Sequence, residues 1–334
     1  MPTRVKSGFS PNMQQSKSTD RPLAGVVLTI AFCIIIPFSD ALAKVLTGQV
    51  PLLTILIARF LGQAVMSAPA LANRRARLGW RLSAFAFLRT VLQLGSLGLF
   101  YVAFRYLQLA DAIAISFISP FLVLLMGKLF LGEQVGPRRI AACGVGFLGT
   151  MMVIQPSFAE VGLPALLPLG GALFFAFYSM ATRQLVRVAD PAVAQGISGV
   201  HGVLLLVLVS VLAGPTIEDA RLVVPSVSDA WMLVGIGIIG SGAHLIMTWA
   251  LRFAPAATLA PIQYLEIPFA TLIGWIFFHE FPNAVASAGI VVIMGAGLYI
   301  VHRERVLARE RSTQAAAEAR RALAEQAGQA ESRI

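Results

Sequence analysis

The sequence has few charged residues and almost no cysteine. Charged side chains make up 13% of its 334 residues, against about a quarter in a soluble domain, while 57% are hydrophobic and the mean hydropathy is +0.78. Both cysteines, Cys33 and Cys143, lie inside apolar runs, which indicates neither a disulfide framework nor a cysteine metal site. The composition excludes an ordinary soluble domain and predicts an integral membrane protein.

The sequence also lacks the motifs of several other classes. It contains no His-Glu-x-x-His, no Gly-x-Ser-x-Gly and no phosphate-binding glycine loop, so a membrane-embedded enzyme is not favoured. No Ala-x-Ala-like site follows the first apolar run, which argues against a cleaved signal peptide. The net charge of +10 comes from residues that flank apolar runs, where anionic lipid headgroups lie, so we expect membrane lipids and no nucleic acid as partners.

Ten apolar segments approach the roughly 20 residues that a spanning helix needs. Their continuous runs lack the alternation of barrel strands, so the fold class is an all-α membrane protein with ten transmembrane helices. The expected spans are 22–46, 51–71, 82–104, 109–131, 137–154, 164–184, 191–213, 229–251, 256–278 and 284–301.

The distribution of arginine and lysine predicts the orientation. Short cytoplasmic loops retain these residues, and placing the N-terminus inside puts most of the 26 basic residues in cytoplasmic segments. The opposite loops then keep only Lys44, Arg105 and Arg221. Both termini are expected to be cytoplasmic, as a polar N-terminal segment (1–21) and a charged C-terminal tail (304–334).

The second half of the chain repeats the first at an offset of 147 residues. Apolar composition does not explain the matches between identical glycine, arginine and glutamate residues. These are Gly127 with Gly274, Arg105 with Arg252, and Glu133 with Glu280. Each half, 22–158 and 159–303, contains five expected spans, and an odd number inverts the second half in the membrane. Inverted repeats are typical of secondary transporters that hold substrate near the midplane.

At these motifs the chain resembles the drug/metabolite transporter superfamily and its ten-span EamA-type members. The pattern in the first half is Ser119-Pro120, Gly127, Gly132-Glu133 and Arg138-Arg139, and the second half repeats it from Pro268 to His279-Glu280. The motifs Asp40-Ala-Leu-Ala-Lys44, Ala58-Arg59-Phe60 and Leu88-Arg89 resemble the branch of S-adenosylmethionine and riboflavin carriers. The resemblance implies a central cavity between inverted halves, alternating access and no bound cofactor.

Charged residues inside the first helical hairpin lie at matched depth. Asp40 and Arg59 are each about 14 Å from the first turn at 1.5 Å per residue, so they can pair. Lys44 lies at the i,i+4 spacing from Asp40 and can reach the membrane surface. The pair is either structural, hiding both charges from lipid, or part of a gate or substrate contact.

Arg89 and Glu266 form a second pair at matched depth, one from each half. Both lie roughly 12 to 15 Å from the same face, and a charge in hydrocarbon costs at least ~2.5 kcal/mol. They either neutralise each other or open to hold a zwitterion, Arg89 its carboxylate and Glu266 its ammonium. Glu266 could also carry a coupling proton.

Further polar and aromatic residues complete the predicted substrate site. Gln93 lies one turn from Arg89, and prolines that flank Gln263, Tyr264 and Glu266 can free backbone carbonyls. Tyr178 and Trp249 could stack on a planar ligand. His201 and His244 have no nearby second ligand, so they are interpreted as core imidazoles and no metal site is predicted.

The sequence therefore predicts a secondary transporter of a small polar metabolite in an inner or plasma membrane. The favoured substrate is an amino-acid-like or S-adenosylmethionine-like zwitterion, possible alternatives being riboflavin or an organic anion on the same fold. A channel is less favoured because of the inverted repeat. The oligomeric state, monomer or homodimer, stays open.

Overall fold

Every regular secondary-structure element that the structure describes is a helix. A computed structural model describes residues 21–72, 79–107, 109–116, 118–132, 136–154, 162–279 and short stretches between 284 and 314. No β-strand occurs in these ranges. The predicted terminal segments and the boundary between halves at 158 lie mostly or wholly outside them, as do Glu133 and Glu280.

The helices follow the expected apolar segments. In chain order they are α1 (Pro22–Leu46), α2 (Leu52–Met66), α3 (Ala68–Ala72), α4 (Trp80–Ala103), α5 (Leu109–Ser116), α6 (Ser119–Leu131), α7 (Pro137–Ile154), α8 (Leu166–Leu185), α9 (Pro191–Ala213), α10 (Val227–Gly235), α11 (Ser241–Phe253), α12 (Ala256–Gln263), α13 (Glu266–Phe278) and α14 (Ser287–Ala296). A π-helical segment, Ile236–Gly240, joins α10 to α11.

Within the described ranges, five helical segments are long and apolar enough to cross a membrane. They are Pro22–Leu46, Leu82–Ala103, Pro191–Ala213, Val227–Phe253 and Ala256–Phe278, and several shorter apolar helices accompany them. Large apolar side chains also face outward: Val211 and Leu212 on α9 are 68% and 71% exposed. An apolar exterior around buried polar residues is the arrangement that a hydrocarbon solvent requires.

Helix starts are set by local sequence. The Asp190 side chain accepts a hydrogen bond from the Ala192 N–H, and Pro191 occupies the first position of α9. Ser226 caps α10 by accepting from the Asp229 N–H. These caps satisfy backbone donors that no helical partner can reach.

The helix boundaries repeat along the chain with an offset of 147 residues. Helix α5 starts at residue 109 and α12 at 256, while α6 starts at 119 and α13 at 266, and each pair has equal length. Gly132 after α6 and His279 after α13 both adopt the left-handed conformation, with φ of 62° and 56°. The same break and the same terminating turn therefore occur twice.

The most extensive packing between the two halves runs along three pairs of helices. Helix α4 lies against α8, α2 against α9, and α1 against α11. Small residues allow the backbones to approach closely: a Cβ added at Gly62 on α2 would overlap the backbone of Gly237, and one at Gly199 would overlap Ala64. This cross-packing encloses the site described next.

Candidate functional site

A central cavity of about 90 Å³ lies where helices of both halves meet. Helices α1, α2, α4, α5, α6, α8, α11, α12 and α13 all contribute to its wall. Its polar lining consists of Asp40, Arg59, Gln93, Ser96, Ser116, Ser119, Tyr178, His244, Gln263 and Glu266.

Two broken helices bring equivalent residues to this cavity. The break between α5 and α6 places Ser116 and Ser119 on the wall, and the break between α12 and α13 places Gln263 and Glu266 there. Ser116 corresponds to Gln263, and Ser119 to Glu266, at the repeat offset. Discontinuous helices of this kind supply backbone groups and helix ends to the ligand sites of secondary transporters.

Cys33 stabilises the second break. Its buried thiol donates toward the carbonyl oxygens of Ile262 and Gln263, with S···O distances of 3.7 and 3.8 Å. These carbonyls lie at the end of α12, where the helical hydrogen-bond ladder is interrupted. A helix end buried away from water needs such partners.

Arg59 is fully buried and bonds to neutral groups. Its Nη1 donates to Ser39 Oγ at 2.6 Å and its Nη2 donates to His244 Nδ1 at 2.9 Å. Because a guanidinium only donates, His244 must be neutral at Nδ1. Asp40 lines the same cavity but accepts neither of these two hydrogen bonds. In place of the expected direct pairing with Asp40, the two Nη atoms of Arg59 bond to Ser39 and His244.

Arg89 lies outside the cavity lining, in a network of neutral acceptors. Its Nε donates to Thr182 at 2.7 Å, and its Nη1 donates to Ser198 at 2.5 Å. Its Nη2 donates to Tyr178 Oη at 2.9 Å and to Gln195 at 3.0 Å. The expected pairing of Arg89 with Glu266 is therefore not formed, because α4 directs this side chain toward α8 and α9.

Four aromatic rings form a continuous wall along the cavity. Phe175 and Tyr178 have ring centroids 6.0 Å apart, Tyr178 and His244 are 6.1 Å apart, and His244 and Phe32 are 6.0 Å apart. All four residues line the cavity. The Arg89 guanidinium lies 4.7 Å from the Tyr178 ring centroid and also bonds to its hydroxyl, so it fixes this ring in place.

Gln93 is buried on the cavity wall with no hydrogen-bond partner. It is 1% exposed, and neither its Oε1 nor its Nε2 has a partner among the described residues. A buried amide left in this state costs free energy unless a ligand or water satisfies it.

The other residues of the expected site lie elsewhere. Trp249 stacks on Phe253 with centroids 5.6 Å apart, and Tyr264 is fully buried; neither lines the cavity. Lys44 places its Nζ 4.7 Å from the Phe278 ring centroid. The cavity thus includes Gln93, Tyr178, Gln263 and Glu266 of the expected substrate residues.

Sequence reasoning did not predict that His244, Ser116 and Ser119 line the cavity. The interpretation of His244 as a core imidazole agrees with its burial and with the hydrogen bond that it accepts from Arg59, and the structure also places it on the cavity wall. Serine as a residue type does not by itself indicate a binding site, so Ser116 and Ser119 gave no direct signal. The repeat offset could have found them, because it maps them onto Gln263 and Glu266.

The chain matches a known protein family over most of its length. The EamA-like transporter family matches residues 23–155 and 162–302, most of the chain. The chain belongs to the EamA-like transporter family. The resemblance to the drug/metabolite transporter superfamily is therefore confirmed, and the protein is a multi-pass membrane protein.

Named relatives and a solved structure agree with this membership. A riboflavin transporter of Rhizobium johnstonii is 34% identical over 194 residues, 58% of this chain and 62% of that protein. An S-adenosylmethionine uptake transporter of Rickettsia bellii is 25% identical over 58% of this chain and 64% of that protein. Each match spans less than two thirds of the relative. A crystal structure at 20% identity has a TM-score of 0.66 over 81% of this chain and 95% of that one, which shows a shared fold.

Proposed function

We propose that the protein is a secondary carrier that moves a small polar metabolite through the central cavity by alternating access. Its ten spans form two inverted halves, 22–158 and 159–303, with both termini cytoplasmic, in an inner or plasma membrane. The single observation that carries this proposal is the pair of repeat-related helix breaks that meet at one cavity. The names of the relatives, which are metabolite transporters, support the same reading.

The size of the cavity supports a moving carrier over a fixed pore. Ligand pockets usually occupy about 300 to 1,000 Å³, whereas this cavity measures about 90 Å³. A metabolite therefore enters only when the helices separate. Alternating access provides that separation, since the two halves open the cavity first to one face and then to the other.

Glu266 is proposed as the residue that carries a coupling proton. It is the first residue of α13, and it lines the cavity together with Asp40 and Arg59. Two carboxyl groups and one guanidinium leave an excess of acidic groups on the wall. A proton bound to Glu266 during one half of the cycle would balance this charge.

The charge of the cavity also bears on the substrate. A zwitterion needs a cation for its carboxylate, and Arg89 is occupied by Tyr178 and other neutral partners outside the lining. Arg89 is therefore proposed as a positioning residue for Tyr178. Riboflavin stays the alternative substrate, favoured by the aromatic wall, while an organic anion would meet both Asp40 and Glu266.

The proposal is tested with purified protein in proteoliposomes offered a cell metabolite extract. Mass spectrometry of the vesicle contents identifies solutes that enter, and the solute found is then measured in counterflow. We expect saturable uptake that is accelerated by the same solute on the opposite side. Uptake that rises linearly with concentration would indicate a channel, and no uptake above empty vesicles would refute the proposal.

Glu266→Gln tests the proton step in the same vesicles. We expect this variant to retain counterflow but to lose accumulation driven by a pH gradient, because the amide cannot bind the proton. Asp229→Asn, which removes an exposed carboxylate near the start of α10, is the matched control and should retain both activities. Gradient-driven accumulation by Glu266→Gln that equals the wild type would exclude this role.

A further inference from the structure

The cavity wall combines an aromatic surface, whose rings are tilted against one another, with one polar edge. The aromatic wall defined above, Phe175, Tyr178, His244 and Phe32, comes from helices α8, α11 and α1. Aromatic side chains bind planar ligands by stacked or edge-to-face contacts. Stacking of a heterocyclic base on such rings contributes about 1 to 3 kcal/mol.

Gln93 supplies the polar edge. Its amide presents one acceptor and two donors in a single plane, and neither heavy atom has a partner among the described residues. An amide of this kind forms two parallel hydrogen bonds with a ligand that has a donor next to an acceptor, as glutamine does with the edge of adenine.

The remaining charges of the cavity exclude some ligand groups. Arg59 donates from its Nη atoms to Ser39 and His244, and its Nε has no partner among the described residues. Asp40 and Glu266 both reach the wall as well, so two carboxyl groups face one guanidinium there. An anionic ligand would thus lose hydration and meet an excess of acidic groups among the described lining residues. An uncharged or cationic ligand avoids this cost.

We infer that the substrate is an uncharged or cationic planar heterocycle whose ring packs on the aromatic wall and whose adjacent donor and acceptor bond to Gln93. This inference rests on the proposed function, because it names the substrate class of the same cavity. It assigns recognition to an amide rather than to the Arg89 and Glu266 charges. Arg89 contributes indirectly by holding Tyr178 in the wall.

Riboflavin and 3-methylriboflavin are the probes. Riboflavin carries an imide N–H beside two carbonyls, and the methyl group of its analogue removes that donor while preserving the ring. Dissociation constants are measured by flavin fluorescence with the full chain in detergent, which requires no transport. We expect wild-type protein to bind riboflavin at least about tenfold more tightly than 3-methylriboflavin.

Gln93→Leu is expected to remove this preference, so that the dissociation constants for the two flavins become nearly equal. Leucine can hydrogen-bond neither to the imide N–H nor to the neighbouring carbonyl. Its folding is not at risk, since replacing an unpartnered buried amide by an apolar side chain removes a cost. Gln63→Leu is the matched control: Gln63 is equally buried, both of its amide atoms lack partners, and it does not line the cavity. The control should keep the wild-type preference.

Three results would overturn the inference. They are equal affinity of the wild type for both flavins, an unchanged preference in Gln93→Leu, and no riboflavin binding by protein that carries another solute in counterflow. The last result would leave the carrier function standing. Conversely, selective flavin binding without counterflow of any solute would refute the carrier function alone.

Discussion

The ion pair between Arg105 and Asp219 is expected to link the two halves outside the spans. Arg105 follows α4 and donates to both Asp219 carboxylate oxygens, with two N···O distances of 2.6 Å. Its Nε also donates to the Thr47 carbonyl at 3.2 Å, next to the end of α1. The backbone N–H of Leu52, the first residue of α2, also helps to lower the pKa of the Asp219 carboxyl. The pair therefore joins a second-half loop to three points of the first half.

The pKa values of the two groups move in the directions that a favourable pair requires. The hydrogen bonds from Arg105 hold the pKa of Asp219 below its usual value, and the same bonds raise the pKa of Arg105. A carboxyl whose folded pKa is depressed contributes stability above its unfolded pKa, about 3.9. That contribution is lost as the pH falls through the folded pKa.

The expected magnitude is modest because both side chains are partly exposed, Arg105 by 27% and Asp219 by 41%. Exposed pairs contribute about 0.2 to 1 kcal/mol, and the two-pronged geometry places this pair near the upper end. A double-mutant cycle of Arg105→Gln and Asp219→Asn should give a coupling free energy of about 1 kcal/mol at neutral pH.

Chemical unfolding in mixed micelles measures this coupling. It should decrease as the pH falls from about 5 to 2, and also in about 1 M salt, where the Debye length is about 3 Å. Glu218→Gln, which removes a neighbouring carboxylate that does not bond to Arg105, is the control and should couple more weakly. A coupling near zero at neutral pH, or one unaffected by acid and salt, would refute the reasoning.

Two further predictions concern backbone packing and conformation, both measured by unfolding in micelles. Gly62→Ala should destabilise the protein by about 1 to 3 kcal/mol because its Cβ would overlap the Gly237 backbone. The control Gly98→Ala, with open space around the added Cβ, should be neutral or stabilise by up to about 1 kcal/mol. Equal effects of the two substitutions would contradict the packing argument. His279→Gly should stabilise by about 1 kcal/mol because φ is 56° there, and a loss of stability would contradict the conformational argument.

Helix positions were predictable because hydropathy reports burial in hydrocarbon directly. The expected spans 22–46, 137–154 and 191–213 coincide with α1, α7 and α9. The prolines around Glu266 correctly indicated an irregular stretch, and the structure breaks the helix at 264–265. The repeat offset was also readable, since glycine, arginine and glutamate seldom match by apolar composition.

Side-chain partners were less predictable, because depth along the membrane does not determine the direction in which a residue points. Successive helical residues differ by about 100° around the axis, so Arg89 can share the depth of Glu266 and still face Tyr178. The position of His244 on the cavity wall was not predictable for a similar reason, because its partner Arg59 comes from another helix. The Arg105–Asp219 pair joins two connecting segments, and hydrophobic periodicity does not predict which connecting segments lie close together.

The most direct test of the central claim is the accessibility of the cavity from each face. Ser119→Cys introduces a thiol on the cavity wall, in a background of Cys33→Ser and Cys143→Ala. A membrane-impermeant thiol reagent is applied to sealed vesicles from outside, or enclosed within them. Alternating access predicts labelling from either face, slowed by the transported solute. Labelling from one face only, with no effect of the solute, would contradict the account.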